Sequence, residues 1–416
     1  MKIIDVVCST GVTGFYFDDQ KAIKKGALMD GFMYQGEPET EKFTAIRQAG
    51  ESLSIMLVLE DETIAYGDAA AVQYSGAGGR DPLFLAEDGK TFFLKHIKPL
   101  LLGRNVLKFK ENALFFDNLM IEGKLMHTAM RYGVTSALLD ATAKANRVTI
   151  AEIVRKEYHL NNPDYHAIPI FAQTGDERYT NVDKMILKEV DVLPHALINN
   201  IDTKLGREGE ILKEYIQWLT NRILTKRHRD DYFPILHIDV YGTIGIIFDY
   251  DYDKIFNYLK ELSRLASPLT LRIEGPIDEG NREDTMIALK TLRAMIDSDD
   301  AVNVEIVADE WCNTFDDVKY FTDHKAGHMV QVKTPDLGGV NNIIDALRYC
   351  LKHNMGAYSG GSCNETNISA EITTSIAMAC EASQCLAKPG MGADEGIMIV
   401  KNHMQRTLEQ IRRRKQ

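Results

Sequence analysis

Residues 329–339 read MVQVKTPDLGG: a short apolar, β-branched strand ends on a lysine and breaks at a proline and two glycines. Lys333 therefore leaves the end of a buried strand. Burial disfavours the charged form of lysine, so this position predicts a lowered pKa and a usable base. Upstream, Asp239 closes ILHID, Glu274 closes LTLRIE and Asp309 closes VEIVAD, each after an apolar run. The three acids recur every 35 residues and Lys333 follows 24 residues later. Each step is about one strand–helix unit, so four successive strands deliver three acids and one base to the same end of a sheet.

The rhythm extends to both sides of this block. IPIFAQ (168–173) and VDVLPHAL (190–197) precede it, and amphipathic helices are predicted at 211–224, 255–265, 286–296, 318–321 and 343–351. GAYSGGSC, a helix over 366–382, CLAKPGMG and a terminal helix over 394–413 complete the run. Strands alternating with helices mean a parallel sheet, and the remaining length matches the roughly 250 residues of a (β/α)8 barrel. Such barrels carry their sites at the C-terminal strand ends, where these residues stand.

The first 160 residues differ in character. KIIDVVC, SLSIMLVLE and TIAYGDAAAVQY read as strands, with a long polar connection over 18–48 between the first two. A helix over 126–145 carries Met130, Val134, Ala137, Leu138 and Ala141 on one face, and Thr149 with Glu152 predicts a capping box for the next. NNPDYH (161–166) reads as a linker. The glycine-rich loop 75–82 lacks the GK[ST] ending of a phosphate loop and the GxGxxG spacing of a dinucleotide site, so it reads as a covering loop.

Composition narrows the class. Forty-eight Lys and Arg against 60 Asp and Glu give a net charge of −12, which argues against nucleic acid as a partner. Six cysteines without a CxxC pair suit free thiols in a reducing compartment. With neither an evident signal peptide nor an apolar stretch near the roughly 18 residues of a membrane span, cytoplasmic localisation and no membrane partner are expected.

Three converging carboxylates unaccompanied by histidine or cysteine suggest a Mg²⁺-type site. A hard cation beside a lysine base suggests proton abstraction next to a carboxylate. Gln331 lies on the same strand face as Lys333, and His195 at another strand end is either a second acid–base group or a structural histidine. Gln173 and the GGSCNET turn (360–366) are further polar convergences; backbone N–H groups freed by the glycines would hold an anion such as a second carboxylate, touched by Ser362 and Cys363. His237 and His328 read as structural. The spacing alone also fits an acid-sugar dehydratase, an amino-acid racemase, a Schiff-base aldolase or a non-catalytic barrel.

The runs FYFDDQKAIKKGA, AAVQYSGAGGRDPLFLA, VDKMILKEVDVLPHALINN, HIDVYGTIG, IVADEWCNT, HMVQVKTPDLGGVNNI, CNET and KPGMGADEG resemble the methylaspartate ammonia-lyase family of the enolase superfamily. The resemblance implies an α+β N-terminal capping domain (1–160) followed by a modified α/β TIM-type barrel (161–416), usually as a homodimer. It implies reversible anti-elimination of ammonia from an amino-diacid, threo-3-methylaspartate, to give mesaconate, with Mg²⁺ required and K⁺ activating. By the same resemblance Asp239, Glu274 and Asp309 are metal ligands, Lys333 is the C3 base, and His195 serves the erythro epimer from the opposite face. Gln173, Gln331, Ser362 and Cys363 would hold the substrate carboxylates. Ser362 replaces the threonine expected in this motif, which keeps the hydroxyl and loses the methyl.

Overall fold

The computed structural model spans 416 residues and describes all of them except 78, 176 and 392. Its first layer follows from alternation. Strands β1 (Ile3–Asp18), β2 (Arg47–Leu59) and β3 (Ile64–Ala70) form an antiparallel sheet in that order. Along β2, Leu53, Ile55, Leu57 and Leu59 are buried and the residues between them are partly exposed, the period of a sheet covered on one face. The polar connection 18–48 is not featureless: it holds a short helix, Gln20–Lys24, and a hairpin pairing Met29–Asp30 with Met33–Tyr34.

Helix α1 (Thr128–Asn146) packs on this sheet at backbone distance. A Cβ added to Gly133 would meet the Ala69 nitrogen at 2.5 Å, and one added to Gly67 would meet the Gly133 oxygen at 2.4 Å. Only residues without side chains allow that approach. The apolar face predicted for this helix is buried, but so are Tyr132, Thr135, Ser136 and Leu139 around the rest of it. The reason is a second partner. Thr135 Oγ1 accepts from the Val340 N–H at 3.0 Å and the Tyr132 hydroxyl donates to Glu365 at 2.5 Å, so α1 is clamped between sheet and barrel. Helix α2 (Ile150–Glu157) follows, opened by the reciprocal Thr149–Glu152 capping box.

Eight parallel strands then close a barrel: β4 (Ile170–Phe171), β5 (Val192–Leu197), β6 (Ile235–Asp239), β7 (Leu271–Glu274), β8 (Val304–Ala308), β9 (Met329–Val332), β10 (Gly356–Ser359) and β11 (Gln384–Leu386). Each pairs with its sequence neighbours, and β11 returns to β4. The longer intervening helices are α3 (Thr180–Leu187), α4 (Glu210–Lys226), α5 (Tyr252–Ala266), α6 (Arg282–Asp297), α7 (Phe315–Asp323), α8 (Val340–Lys352) and α9 (Asn367–Cys380), with α10 (Asp394–Lys415) at the end. Inside the barrel, Phe171, Val192, Val307, Met329, Tyr358 and Leu386 pack together. Outside it, the helices share one continuous apolar cluster with the N-terminal sheet. Among the described residues no helix is long and apolar enough to cross a membrane.

Docking of α1 on β3 depends on Gly133, so Gly133→Val should lower stability by about 1–3 kcal/mol through overpacking. Urea denaturation checks this: a midpoint unchanged from the parent chain would mean that the backbone approach is not tight in solution.

Candidate active site

β6 and β7 end on Asp239 and Glu274, while Asp309 and Lys333 are the first residues beyond β8 and β9. A cavity of about 120 Å³ opens at these strand ends. The barrel lines it with Gln173, His195, Asp239, Asp309, Gln331, Lys333, Ser362 and Cys363, and the N-terminal region contributes Gln73, Tyr74 and Arg80. Glu274 lies against it, fully buried. The structure thus brings together all the residues assigned to a site from the sequence.

Burial pushes the carboxyls of Asp239, Glu274 and Asp309 above the ordinary range, and for Asp239 and Glu274 the charges of the neighbouring acids add to it. Glu274 is the best supported of the three. Its Oε1 accepts from Gln331 Nε2 (3.0 Å) and the Tyr358 hydroxyl (2.9 Å), and its Oε2 accepts from His237 Nε2 (2.8 Å). Asp239 Oδ1 takes the Tyr241 N–H at 3.1 Å. Asp309 Oδ1 is buried without a hydrogen bond, although Lys333 Nζ stands 3.0 Å away as an ion-pair partner.

Two expectations need correction. Lys333 is held above, not below, the ordinary lysine range: burial acts downward, but Asp309 at 3.0 Å and Glu310 at 3.7 Å outweigh it. A histidine does accompany the acids. His195 Nε2 lies 3.9 Å from Asp239 Oδ2 and 4.0 Å from Glu274 Oε2, and ligand atoms of these three residues fall within 4.8 Å of one another. The cause is a β-bulge: Pro194 pairs with His237 and Ala196 with Ile238, leaving His195 unpaired at φ +40°. Gln331 lines the cavity and gives its amide nitrogen to Glu274 and the Tyr358 hydroxyl. In the 360–366 turn, Gly360 N–H goes to Val332 O, Ser362 N–H to Glu365, Asn364 N–H to Ser362 Oγ and Thr366 N–H to Ser369 Oγ. Four of the turn's seven N–H groups are thus used within the fold, and among the described residues those of Gly361, Cys363 and Glu365 have no such partner, with Gly361 and Cys363 lining the cavity.

Burial lowers the His195 pKa to about 4, and neither ring nitrogen has a hydrogen-bond partner, so a neutral imidazole faces the cavity. Burial drives the Cys363 thiol up to about 12, which rules out a resting thiolate nucleophile at neutral pH. His328, held by Asp297 and the Ile306 N–H, is structural as expected, whereas His237 touches Glu274.

Sequence reasoning missed Tyr358 and Glu310, and although it read loop 75–82 as a covering loop it did not single out Gln73, Tyr74 or Arg80. Loop 75–82 reaches the cavity through Arg80, whose Nε donates to Asp336 at 2.9 Å; its residue 78 lies outside the described residues. Gln73 is held by Asp18 (2.6 Å), itself paired twice with Arg47 at 2.7 Å. Glu310 was legible as the acid beside Asp309, but the others carry no local signal.

A closed parallel barrel beneath an N-terminal sheet, with buried acids facing a lysine at its strand ends, is a TIM-type barrel that carries its polar residues where such enzymes carry their active sites. The fold alone is shared with muconate lactonizing enzyme of Pseudomonas putida, at TM-score 0.60 and 14% identity over 91% of this chain and 85% of that one. The family models described as methylaspartate ammonia-lyase N-terminus and C-terminus match residues 1–159 and 164–413, and the chain belongs to the methylaspartate ammonia-lyase family of carbon–nitrogen lyases. It is 60% identical to methylaspartate ammonia-lyase of Clostridium tetanomorphum over the full length of both chains. The β-methylaspartase structure from that organism, a Mg complex, superposes at TM-score 0.97 with full coverage of both. Methylaspartate ammonia-lyase of Citrobacter amalonaticus, solved with (2S,3S)-3-methylaspartic acid, also gives 0.97, at 55% identity over 99% of this chain and 100% of that one.

Because the folded pKa of His195 lies near 4 and the unfolded value near 6.5, the unfolded chain takes up the proton first as pH falls. His195 therefore subtracts stability progressively between about pH 6.5 and 4. Its ring proton shifts in NMR should stay constant from pH 8 to about pH 5; a midpoint above 6 would contradict the buried neutral ring.

Proposed function

We propose that this chain catalyses the Mg²⁺-dependent, reversible anti-elimination of ammonia from L-threo-3-methylaspartate to mesaconate. The observation that carries the reading is a single cavity with Lys333 against Asp309 on one side and the unpartnered His195 against Asp239 and Glu274 on the other. The Mg complex of the Clostridium enzyme and the methylaspartate held by the Citrobacter enzyme support it.

The residues fit a hard divalent cation: three buried carboxylates, two of them burdened by their neighbours' charge, and an Asp309 oxygen without a hydrogen bond. Asp239, Glu274 and Asp309 would hold Mg²⁺. Bound there, it would stabilise the negative charge that builds on the substrate carboxylate and offset the acid charges that keep Lys333 protonated.

Lys333, as the free amine, takes the C3 proton. The electrons of that C–H bond form the double bond, and the C2–N pair leaves with ammonia. In the reverse direction the lysine ammonium, the form favoured by Asp309 and Glu310, returns the proton to C3. The His195 imidazole, neutral and facing the cavity, is the base available to the erythro epimer. Gln173, Ser362 and Cys363 line the cavity where substrate carboxylates would lie. Activation by K⁺, homodimeric assembly and cytoplasmic location rest on family membership and sequence character alone.

Absorbance of the unsaturated diacid, with threo-3-methylaspartate, Mg²⁺ and an EDTA control, tests the reaction. EDTA should abolish the signal. Lys333→Ala should lower kcat/KM by at least the roughly 10²–10⁴ of a general base, and His195→Ala by less on this substrate. Equal losses would indicate a balanced two-base reaction such as racemisation.

A further inference from the structure

A chain of polar side chains runs through the barrel interior beneath the cavity. Arg272, two residues before Glu274 on β7, gives its Nε to Glu305 at 2.5 Å and its Nη1 to Gln384 Oε1 at 2.6 Å. Gln384 Nε2 then lies 3.0 Å from His237 Nδ1, and His237 Nε2 lies 2.8 Å from Glu274 Oε2. Phe171 stacks on the His237 ring at 4.2 Å and 15°, which fixes the ring plane. Arg272, His237, Glu274 and Gln384 are all buried, whereas Glu305 is 40% exposed and connects the chain to solvent.

The donor inventory sets the direction of every bond. Guanidinium nitrogens only donate, so the group that Gln384 turns toward Arg272 must be its carbonyl. Its amide nitrogen then faces His237 and donates to Nδ1. That nitrogen carries no proton, so the proton of the neutral ring sits on Nε2 and points at Glu274. Reversing Gln384 would set its NH₂ against the guanidinium, donor against donor.

We propose that Arg272 and Gln384 are positioning residues that act through His237, selecting the ring tautomer that donates to Glu274 and so aiming its carboxylate at the cavity. The proposal rests on the reading of Glu274 as a metal ligand. Hydrogen bonds of this kind fix the tautomer and orientation of groups at metal sites, and losing one costs about 10–100-fold in metal affinity. The barrel interior thereby does more than fill space.

The experiment combines two readouts. ¹⁵N NMR of histidine-labelled protein reads the ring directly, with the His237 signal assigned by its disappearance in His237→Gln. The unsubstituted chain should show proton-bearing Nε2 and bare Nδ1; the opposite tautomer would overturn the proposal. Calorimetric titration with Mg²⁺ reads the consequence. Gln384→Leu should weaken Mg²⁺ binding about 10-fold or more. In a His237→Gln background, whose amide donates to Glu274 without needing a tautomer, the same substitution should change affinity by less than about 2-fold. Equal weakening in both backgrounds would assign Gln384 a packing role and overturn the proposal, as would no weakening in either. Should Gln384→Leu fail to fold, the tautomer of the parent chain decides by itself. If the parent chain binds no Mg²⁺, the metal reading fails separately, and the NMR result alone decides whether Gln384 sets the His237 ring.

Discussion

Glu274, at the centre of the barrel, has given up all its water, and much of the interior supplies what water would have given. Tyr358, Gln331 and His237 each direct a donor at its two oxygens. Asp239 and Asp309 add repulsion instead of relief. Three donors satisfy most of the lone pairs of one carboxylate, but ionising all three acids together is costly unless positive charge stands beside them. Lys333 supplies part of it at Asp309. The rest of the architecture, from closure of the barrel to the cover above it, keeps this charge away from bulk solvent.

The cover is structurally bound to the charged centre. Lys388 and Glu365, both without exposed surface, pair at 2.8 Å; Lys388 also reaches Thr334, next to Lys333, and Glu365 accepts from Tyr132 on α1. A buried ion pair is costly unless its remaining hydrogen-bonding positions are filled, and here they are filled from both the barrel and the N-terminal region. The Gly133–Gly67 contact seats α1 on its sheet, so the helix that carries Tyr132 has little freedom to shift.

Much of this was legible in the sequence because strands and charges report on themselves locally. An apolar run that ends on Asp, Glu or Lys says where a strand stops and what stands there, and four such runs in phase define a barrel end. Helices α4 to α10 were legible from apolar spacing for the same reason. What stayed hidden depends on contacts between distant segments. Tyr358 and Gln384 look like ordinary strand residues until the barrel closes, and Arg80 and Gln73 join the cavity only through the packing of one layer on another. The pKa of Lys333 was misjudged because burial, which sequence shows, was outweighed by two carboxylates whose distances it does not show.

The bulge at His195 has a consequence for how this sequence can change. A strand displays its residues in a two-step frame, and one unpaired residue resets that frame for everything after it. The segment is therefore intolerant of any change in the number of its residues. Losing a single residue before Leu197 would turn that side chain and the turn leading from it to the opposite face of the barrel wall. For β5 the number of residues before Leu197 sets the barrel wall as firmly as their identity does.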